Sequence, residues 1–340
     1  MSKSPEPVKT PSLSDRQKDI IQKFAALGSL VALAIVFSAT SSAFFSVNNA
    51  MTIALQVTSI ALLGIGATCV IITGGIDLSV GSVLALAGVV AALAVKELGM
   101  PVPVGMFLGI LTGSLCGLIN GFLVTRFKLP PFIATLGMML IARGVALQIT
   151  GARAVSGLGE SFGELGNGAL FRIVNIGDDG FPNVVFPGIP YPVILMVVIA
   201  LAVAFMLNRS VLGRHIYAVG SNAEAARLSG VNVARVTNFT YVLSGTLAGL
   251  TGCVLMSRLV TAQPNEGVMY ELDAIASAVI GGTSLIGGVG TISGTAIGAF
   301  VIGILRNGLN MNGVSAFTQQ IIIGLVILMT VWIDQLRNRR

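Results

Sequence analysis

Charged side chains are scarce in this sequence. Asp, Glu, Lys and Arg together make up 10% of its 340 residues, whereas a soluble domain carries about 25%. A water-facing surface cannot be built from so few charges, so the soluble-enzyme classes are nearly excluded. Hydrophobic residues fill 54% of the chain and the mean hydropathy is +0.90. This composition predicts an all-α, polytopic membrane protein.

Histidine and cysteine are almost absent. The one histidine, His215, excludes a multi-histidine metal site, and no metal ligands are predicted. The three cysteines, Cys69, Cys116 and Cys253, lie inside apolar runs without paired or metal-ligand spacing. They are predicted to be packing residues.

Motifs that would bind a nucleotide or catalyse a reaction are missing as well. The sequence has no G-x-x-x-x-G-K-[ST], H-E-x-x-H or CxxC motif. No catalytic residue and no cofactor are therefore predicted in this chain. The net charge of +6 would suggest nucleic acid in a soluble protein. In a membrane protein, cytoplasmic loops collect Lys and Arg, so no nucleic-acid partner is predicted.

Runs without charge mark the predicted membrane spans, because a helix needs about 20 apolar residues to cross a bilayer. The runs predict about ten helices, at 26–45, 51–72, 79–96, 103–125, 131–150, 190–208, 236–257, 268–286, 290–310 and 315–334.

The distribution of Lys and Arg predicts the orientation. Most of the basic residues lie on the inner side if both termini are cytoplasmic. The predicted parts are a cytoplasmic tail at 1–24, a transmembrane domain at 25–335 and a short cytoplasmic tail at 336–340. The domain includes a periplasmic loop at 151–189 and a cytoplasmic loop at 209–235. A cleaved signal peptide ending near 38–43 is a less favoured alternative, because apolar residues resume at once.

Two spans carry glycines at a spacing of four, which places them on one helix face and lets another backbone approach closely. These stripes are predicted to be packing surfaces, either within one subunit or across a dimer. Their members are Gly109, Gly113, Gly117 and Gly121 in the fourth span and Gly290, Gly294 and Gly298 in the ninth.

Two segments, 74–81 and 281–288, share the pattern G-G-x-x-L-x-x-G between hydrophobic runs. Broken helices at membrane depth are tolerated only where they line a cavity or are buried in protein. The two segments therefore either flank a translocation path or form an ordinary pair of tight turns.

Polar residues inside spans are candidates for a translocation path, since ionisable groups are costly in the bilayer and usually face a cavity or a partner. Arg143 is the best candidate for a mid-span charge, whereas helix capping near an interface would explain Asp77 and Asp273. Arg306 also lies within a span. Half or more of the neutral members could instead tie helices together. The path candidates are Asp77, Asn120, Arg143, Gln148, Asp273, Asn307 and Asn310, with Gln319 and Gln320 as further polar groups.

The loop at 213–233 predicts a short helix of about eight residues. Ser221 or Asn222 can cap its start, and Gly230 can end it in the left-handed conformation. Glu224 and Arg227 lie one turn apart. A rigid helix of this size on the cytoplasmic side suits a groove in a soluble partner.

The segment Glu224-Ala225-Ala226-x-x-x-Gly230 resembles the EAA loop of ABC importer permeases. With G-G-I-D-L-S-V-G-S at 74–82, P-F-I-A-T-L-G-M-M at 131–139 and E-L-D-A-I-A at 271–276, the sequence is similar to the ribose-type sugar permeases from about residue 25 to 335. The Leu-Pro that often closes the EAA loop is absent, which leaves the end of the coupling helix open.

The resemblance implies a permease subunit in a bacterial inner membrane, paired with a second and usually identical permease. It further implies a cytoplasmic ATPase that binds ATP and magnesium, and a periplasmic sugar-binding protein that delivers a monosaccharide. Ribose is the first expectation; xylose, arabinose, galactose, fructose and myo-inositol stay open. The alternative is an ion-coupled transporter or channel that acts alone. The predicted ATPase-coupling residues are Arg214, Ser221, Asn222, Glu224, Ala225, Ala226 and Gly230.

Overall fold

The computed structural model describes residues 13–176 and 182–338, as thirteen helices and four short strands. The helices are α1 (Leu13–Thr40), α2 (Val47–Ile72), α3 (Val80–Lys96), α4 (Val102–Arg126), α5 (Pro131–Thr150), α6 (Glu160–Asn167), α7 (Tyr191–Arg209), α8 (Val211–Ser221), α9 (Ala223–Leu228), α10 (Val233–Leu259), α11 (Tyr270–Ile280), α12 (Ile292–Met311) and α13 (Ala316–Asn338). Of the predicted tails, residues 1–12 and 339–340 lie outside the described residues, whereas 13–24 belong to α1 and 336–338 to α13.

The strands form two small antiparallel pairs in the predicted loop at 151–189. Strand β1 (Ala169–Leu170) pairs with β4 (Ile189–Pro190), and β2 (Ile173–Ile176) pairs with β3 (Pro182–Phe186). Residues 177–181, between β2 and β3, lie outside the described residues.

Six helices in the described residues are long and apolar enough to cross a membrane: α2, α4, α5, α7, α10 and α12. Shorter apolar stretches occur in α1, α3 and α13. The predicted span at 268–286 contains only the 11-residue helix α11, because Gly281 and Gly282 end it in a turn. The predicted polytopic helical fold is confirmed, but the count of about ten spans is not.

Helix α2 lies at the centre of the molecule. Within its most apolar 18-residue window, 89% of the residues are buried against other parts of the chain. It runs alongside α12, and side chains join the two at both ends: Thr68 shares a 2.6 Å hydroxyl contact with Thr295, and Asn49 pairs its amide with that of Asn307. Helices α10 and α11 pack against other faces of α2.

The predicted glycine stripe of the fourth span lies between α4 and α10. A Cβ at Gly113 would clash with the carbonyl oxygen of Gly245, and one at Gly117 would clash with that of Tyr241. The two backbones are therefore in direct contact. On α12, Gly294 and Gly298 make the same kind of approach to α11, whereas Gly290 precedes the helix. These stripes pack helices of one chain.

Candidate functional site

The predicted coupling loop folds as two consecutive helices, α8 and α9. Asn222 lies between them: its main-chain NH donates to Ala218 O at 3.0 Å, and its Oδ1 accepts from the NH of Ala225 at 2.9 Å. Asn222 therefore ends α8 and caps α9. The prediction of one helix of about eight residues is corrected to a six-residue helix. The earlier residues Arg214 and Ser221 belong to α8.

Helix α9 presents a charged surface. Glu224 and Arg227 form an ion pair while their side chains stay 64% and 65% exposed. Hydrogen bonds from the Arg227 guanidinium lower the pKa of the Glu224 carboxyl. Such an exposed pair adds little stability, because solvent screens it. Leu228 beside it is 78% exposed, so α9 offers charged and apolar groups together.

A buried alanine and a glycine turn hold α9 in place. Ala226 is 5% exposed and packs into the core with α8 and the start of α10. Gly230 has a φ of +86°, which glycine adopts without strain, and its NH donates to Arg227 O at 3.0 Å. Of the predicted coupling residues, Glu224, Ala225 and Ala226 thus lie on α9, and Gly230 forms the turn after it.

A polar cavity of about 240 Å³ lies among α2, α10, α11, α12 and α13, at the end of the molecule opposite α9. A second cavity of about 200 Å³ adjoins it, and Arg306 and Gln319 line both. The polar groups of the first cavity are Gln56, Ser59, Arg258, Tyr270, Arg306, Asn307, Asn310 and Gln319.

An ion pair lies between the two cavities. Arg306 Nη2 on α12 donates to both carboxylate oxygens of Asp273 on α11, at 2.7 and 2.8 Å. Asp273 is 3% exposed and Arg306 keeps about a third of its side chain accessible. The buried Arg306 Nε has no hydrogen-bond partner in the described part of the chain. Arg306 thus has donor capacity left beside the cavities.

The structure places the predicted path residues in three different parts of the molecule. Asp273, Asn307 and Asn310 come together at the cavities, with Gln319 and Gln320. Arg143 lies elsewhere and donates to two main-chain carbonyls, Pro264 O and Glu266 O, in the loop before α11. Gln148 is exposed on α5.

Asp77 lies in a third place, between α2 and α3, and is 2% exposed. Its carboxylate accepts three hydrogen bonds: two from Ser79, at 3.0 and 2.6 Å, and one from Ser244 Oγ at 2.8 Å. Asn120 Nδ2 donates to Ser79 Oγ at 2.9 Å and extends this network to α4. No cationic side chain forms an ion pair with Asp77 within residues 13–176 and 182–338.

Sequence reasoning missed Gln56 and Ser59 on α2, which line the first cavity. Both are polar residues in an otherwise apolar run, and their spacing of three places them on one helix face. That pattern was an available signal. Tyr270 and Arg258 carried none, because each lies at the end of a predicted span.

One motif in the sequence forms no site. Residues Gly159–Gly163 match G-x-S-x-G, a pattern that carries the nucleophile in many hydrolases. Here Ser161 is exposed on the first turn of α6, and the one histidine of the chain lies on α8. A serine nucleophile with a histidine base is therefore not assembled.

Long apolar helices around a polar cavity, with a short charged helix between two of them, define a multi-pass membrane transport protein. Residues 49–331 match the model of the family described as "Branched-chain amino acid transport system / permease component", and the chain belongs to that family.

Sugar permeases are among its relatives. The ribose import permease protein RbsC of Escherichia coli strain K12 is 44% identical over 316 residues, which cover 93% of this chain and 94% of that protein. The protein of the same name from Bacillus subtilis strain 168 is 41% identical over 97% of this chain and its own full length. The xylose transport system permease protein XylH of E. coli K12 is 35% identical over 94% of this chain and 93% of its own. The resemblance to ribose-type ABC importer permeases is confirmed. No solved structure matches the chain.

Proposed function

We propose that this chain is the membrane-spanning permease subunit of an ATP-driven, binding-protein-dependent importer of a monosaccharide, with ribose as the first candidate. The observation that carries the proposal is the 44% identity to a ribose import permease protein along 93% of the chain. The xylose relative, at 35%, makes other pentoses the next candidates.

Helix α9 is the proposed docking element for a separate cytoplasmic ATPase. Its exposed ion pair and Leu228 suit a groove with both polar and apolar walls. The sequence lacks a phosphate-binding loop, which fits an arrangement in which the partner holds ATP and magnesium and this chain holds no cofactor.

The two cavities are proposed as part of the translocation path. Their amides, hydroxyls and Arg306 guanidinium can hydrogen-bond sugar hydroxyls. A path of this kind fits an importer in which a periplasmic binding protein supplies most of the selectivity.

The remaining partners follow from the same proposal. A second copy of this chain completes the permease, and the loop at 151–189 faces the binding protein. The complex lies in the bacterial inner membrane with both termini in the cytoplasm. The excess of Lys and Arg on that side supports this orientation.

Sugar uptake into proteoliposomes tests the proposal. We expect ribose uptake to require this chain, the ATPase, the sugar-binding protein and ATP together. Glu224→Lys reverses one charge of α9 and should abolish ATPase retention in a pull-down. Arg235→Glu, a charge reversal in the first turn of α10, is the matched control and should retain the ATPase. Retention of the ATPase by Glu224→Lys would contradict the docking assignment.

An ion-coupled transporter acting alone is the second candidate, favoured by one observation: Asp77 is a buried carboxylate without an ion-pair partner among the described residues. Uptake by this chain alone, driven by a sodium or proton gradient and lost in Asp77→Asn, would support this candidate and contradict the first.

A further inference from the structure

The last turn of α8 lies directly against the main chain of two other segments. A Cβ at Gly220 would clash with Ile72 O, at the end of α2, and would lie 2.6 Å from Gly288 N. Gly288 N in turn donates to Ile72 O at 2.8 Å. We call Gly220, Ile72 and Gly288 the glycine junction. It joins three chain segments through main-chain atoms.

A second contact lies one turn earlier on α8. The hydroxyl of Tyr217 donates to Gly290 O at 2.8 Å. Gly290 immediately precedes Thr291, whose side chain caps the first turn of α12. Helix α8 therefore holds the segment at 281–291 at two points, Gly288 and Gly290.

On its other side, α8 is continuous with α9. Asn222 bonds to both helices, so α9 cannot be displaced far without moving the end of α8. Ile216 and Val219 of α8 are buried in the core, where Ile72 and Ile292 also lie. Helix α8 is thus part of the transmembrane body, whereas α9 protrudes from it.

The segment at 281–291 connects the two helices that carry the cavity ion pair. It follows α11, which carries Asp273, and precedes α12, which carries Arg306. A displacement of this segment at the α9 end would move the linked ends of both helices, and with them the wall that they form between the two cavities.

We propose that the glycine junction and the Tyr217 hydroxyl transmit movement of α9 to α11 and α12. These groups are then positioning residues for transport rather than docking residues. Main-chain atoms in van der Waals contact leave no side chain to change rotamer, so a displacement on one side reaches the other. The inference rests on the proposed function, in which α9 docks the ATPase.

Tyr217→Phe tests the second contact with the smallest change, since it removes the hydroxyl and keeps the ring. The measurement is the number of sugar molecules transported per ATP hydrolysed, in proteoliposomes with the ATPase and the sugar-binding protein. We expect about a threefold fall, as for the loss of one hydrogen bond, with unchanged ATPase retention in a pull-down. Tyr241→Phe is the matched control, because the buried Tyr241 hydroxyl has no partner in the described part of the chain. It should transport as the wild type does.

Gly220→Ala tests the glycine junction, since the added methyl group displaces α8 from Ile72. We expect at least a tenfold fall in sugar transported per ATP. Gly137→Ala on α5 is the matched control, because a Cβ there has no heavy atom within 4 Å. If Gly220→Ala fails to insert, Tyr217→Phe decides the question.

Wild-type transport per ATP in Tyr217→Phe overturns the inference, and so does loss of ATPase retention in that variant, which would make Tyr217 a docking residue. Failure of the proposed function is recognised separately, because the wild-type chain would then take up sugar without the ATPase and ATP. In that case the inference falls with it.

Discussion

The polar side chains inside the bundle differ in what they contact. Asp77 accepts hydrogen bonds from Ser79 and Ser244 and forms no ion pair among the described residues. Asp273, in contrast, pairs with Arg306 beside two cavities. A buried carboxylate with several hydrogen bonds fixes local structure. An ion pair beside a cavity can also bind a solute there if its guanidinium has an unused N–H donor, as Arg306 does among the described residues. The Asp273–Arg306 pair is therefore the residue-level feature to test first.

Asp273→Asn should destabilise the protein by about 3 kcal/mol, because it leaves the guanidinium of Arg306 without its counter-charge. The measurement is the free energy of unfolding in detergent. Glu224→Gln, which breaks the exposed pair of α9, is the control and should leave it nearly unchanged. An equal loss of unfolding free energy in both variants would contradict the argument that the buried pair matters more than the exposed one.

Asp273→Asn combined with Arg306→Gln should recover part of that stability, because neither charge is then left unpaired. Sugar uptake should stay low in the double variant, since the cavities lose the guanidinium. Full uptake would mean that Arg306 acts only in stability.

The sequence indicated that these residues matter but could not separate their roles. Each is a single charge in an apolar run, and the spacing gives no partner. Asp77 meets Ser244, and Asp273 meets Arg306, only because helices remote in sequence pack together. Glu224 and Arg227 were predictable, because both lie within one helical turn.

Among the elements, the ends of α9 were easier to predict than the presence of α8 or the length of α11. Asn222 caps the start of α9 with its side-chain amide, and Gly230, which lacks a Cβ, forms the left-handed turn after it, both as the sequence predicts. The separate helix α8 was not foreseen, because its glycines Gly213 and Gly220 have low helix propensity and its stability comes from burial of Ile216 and Val219. The span predicted at 268–286 was too long because hydropathy extends across Gly281, although the Gly-Gly pattern at 281–288 indicated a break or a turn there.

Asn222→Ala should raise the dissociation constant for the ATPase about fivefold, since a helix loses about 1 kcal/mol when its capping side chain is removed. Titration of the purified ATPase measures this constant. Asn232→Ala removes a cap of the same 2.9 Å geometry from α10 and serves as the control, with binding unchanged. Equal weakening in both would argue for general destabilisation.

Gly113→Ala should prevent close packing of α4 on α10, because the new methyl group meets the Gly245 carbonyl. We expect loss of the monodisperse folded peak in size-exclusion chromatography. Gly144→Ala, on α5 with open space around it, should leave the peak unchanged. An unchanged profile for Gly113→Ala would contradict the contact.

For the whole molecule, the two ends carry different exposed groups. Leu228 on α9 is 78% exposed, and Phe171 near the strand pairs is 75% exposed. The three native cysteines are buried, so they should give little background with thiol reagents. Introduced cysteines can therefore report which end faces which side of the membrane.

Leu228→Cys should react with a membrane-impermeant maleimide only in inside-out vesicles, and Phe171→Cys only in right-side-out vesicles. Mass spectrometry of the labelled chain measures both. The wild-type chain, which has only its three native cysteines, is the control for background labelling. The reverse pattern would invert the orientation predicted from Lys and Arg.

Helix α2 meets other protein along nearly all of its most apolar window, although its mean hydropathy of 2.1 is among the highest in the described chain. In the finished bundle those side chains have hardly any lipid to meet. Their hydrophobicity serves an earlier stage, when the helix enters the bilayer before its neighbours enclose it. For α2, the sequence thus records the requirements of insertion as much as those of the folded state.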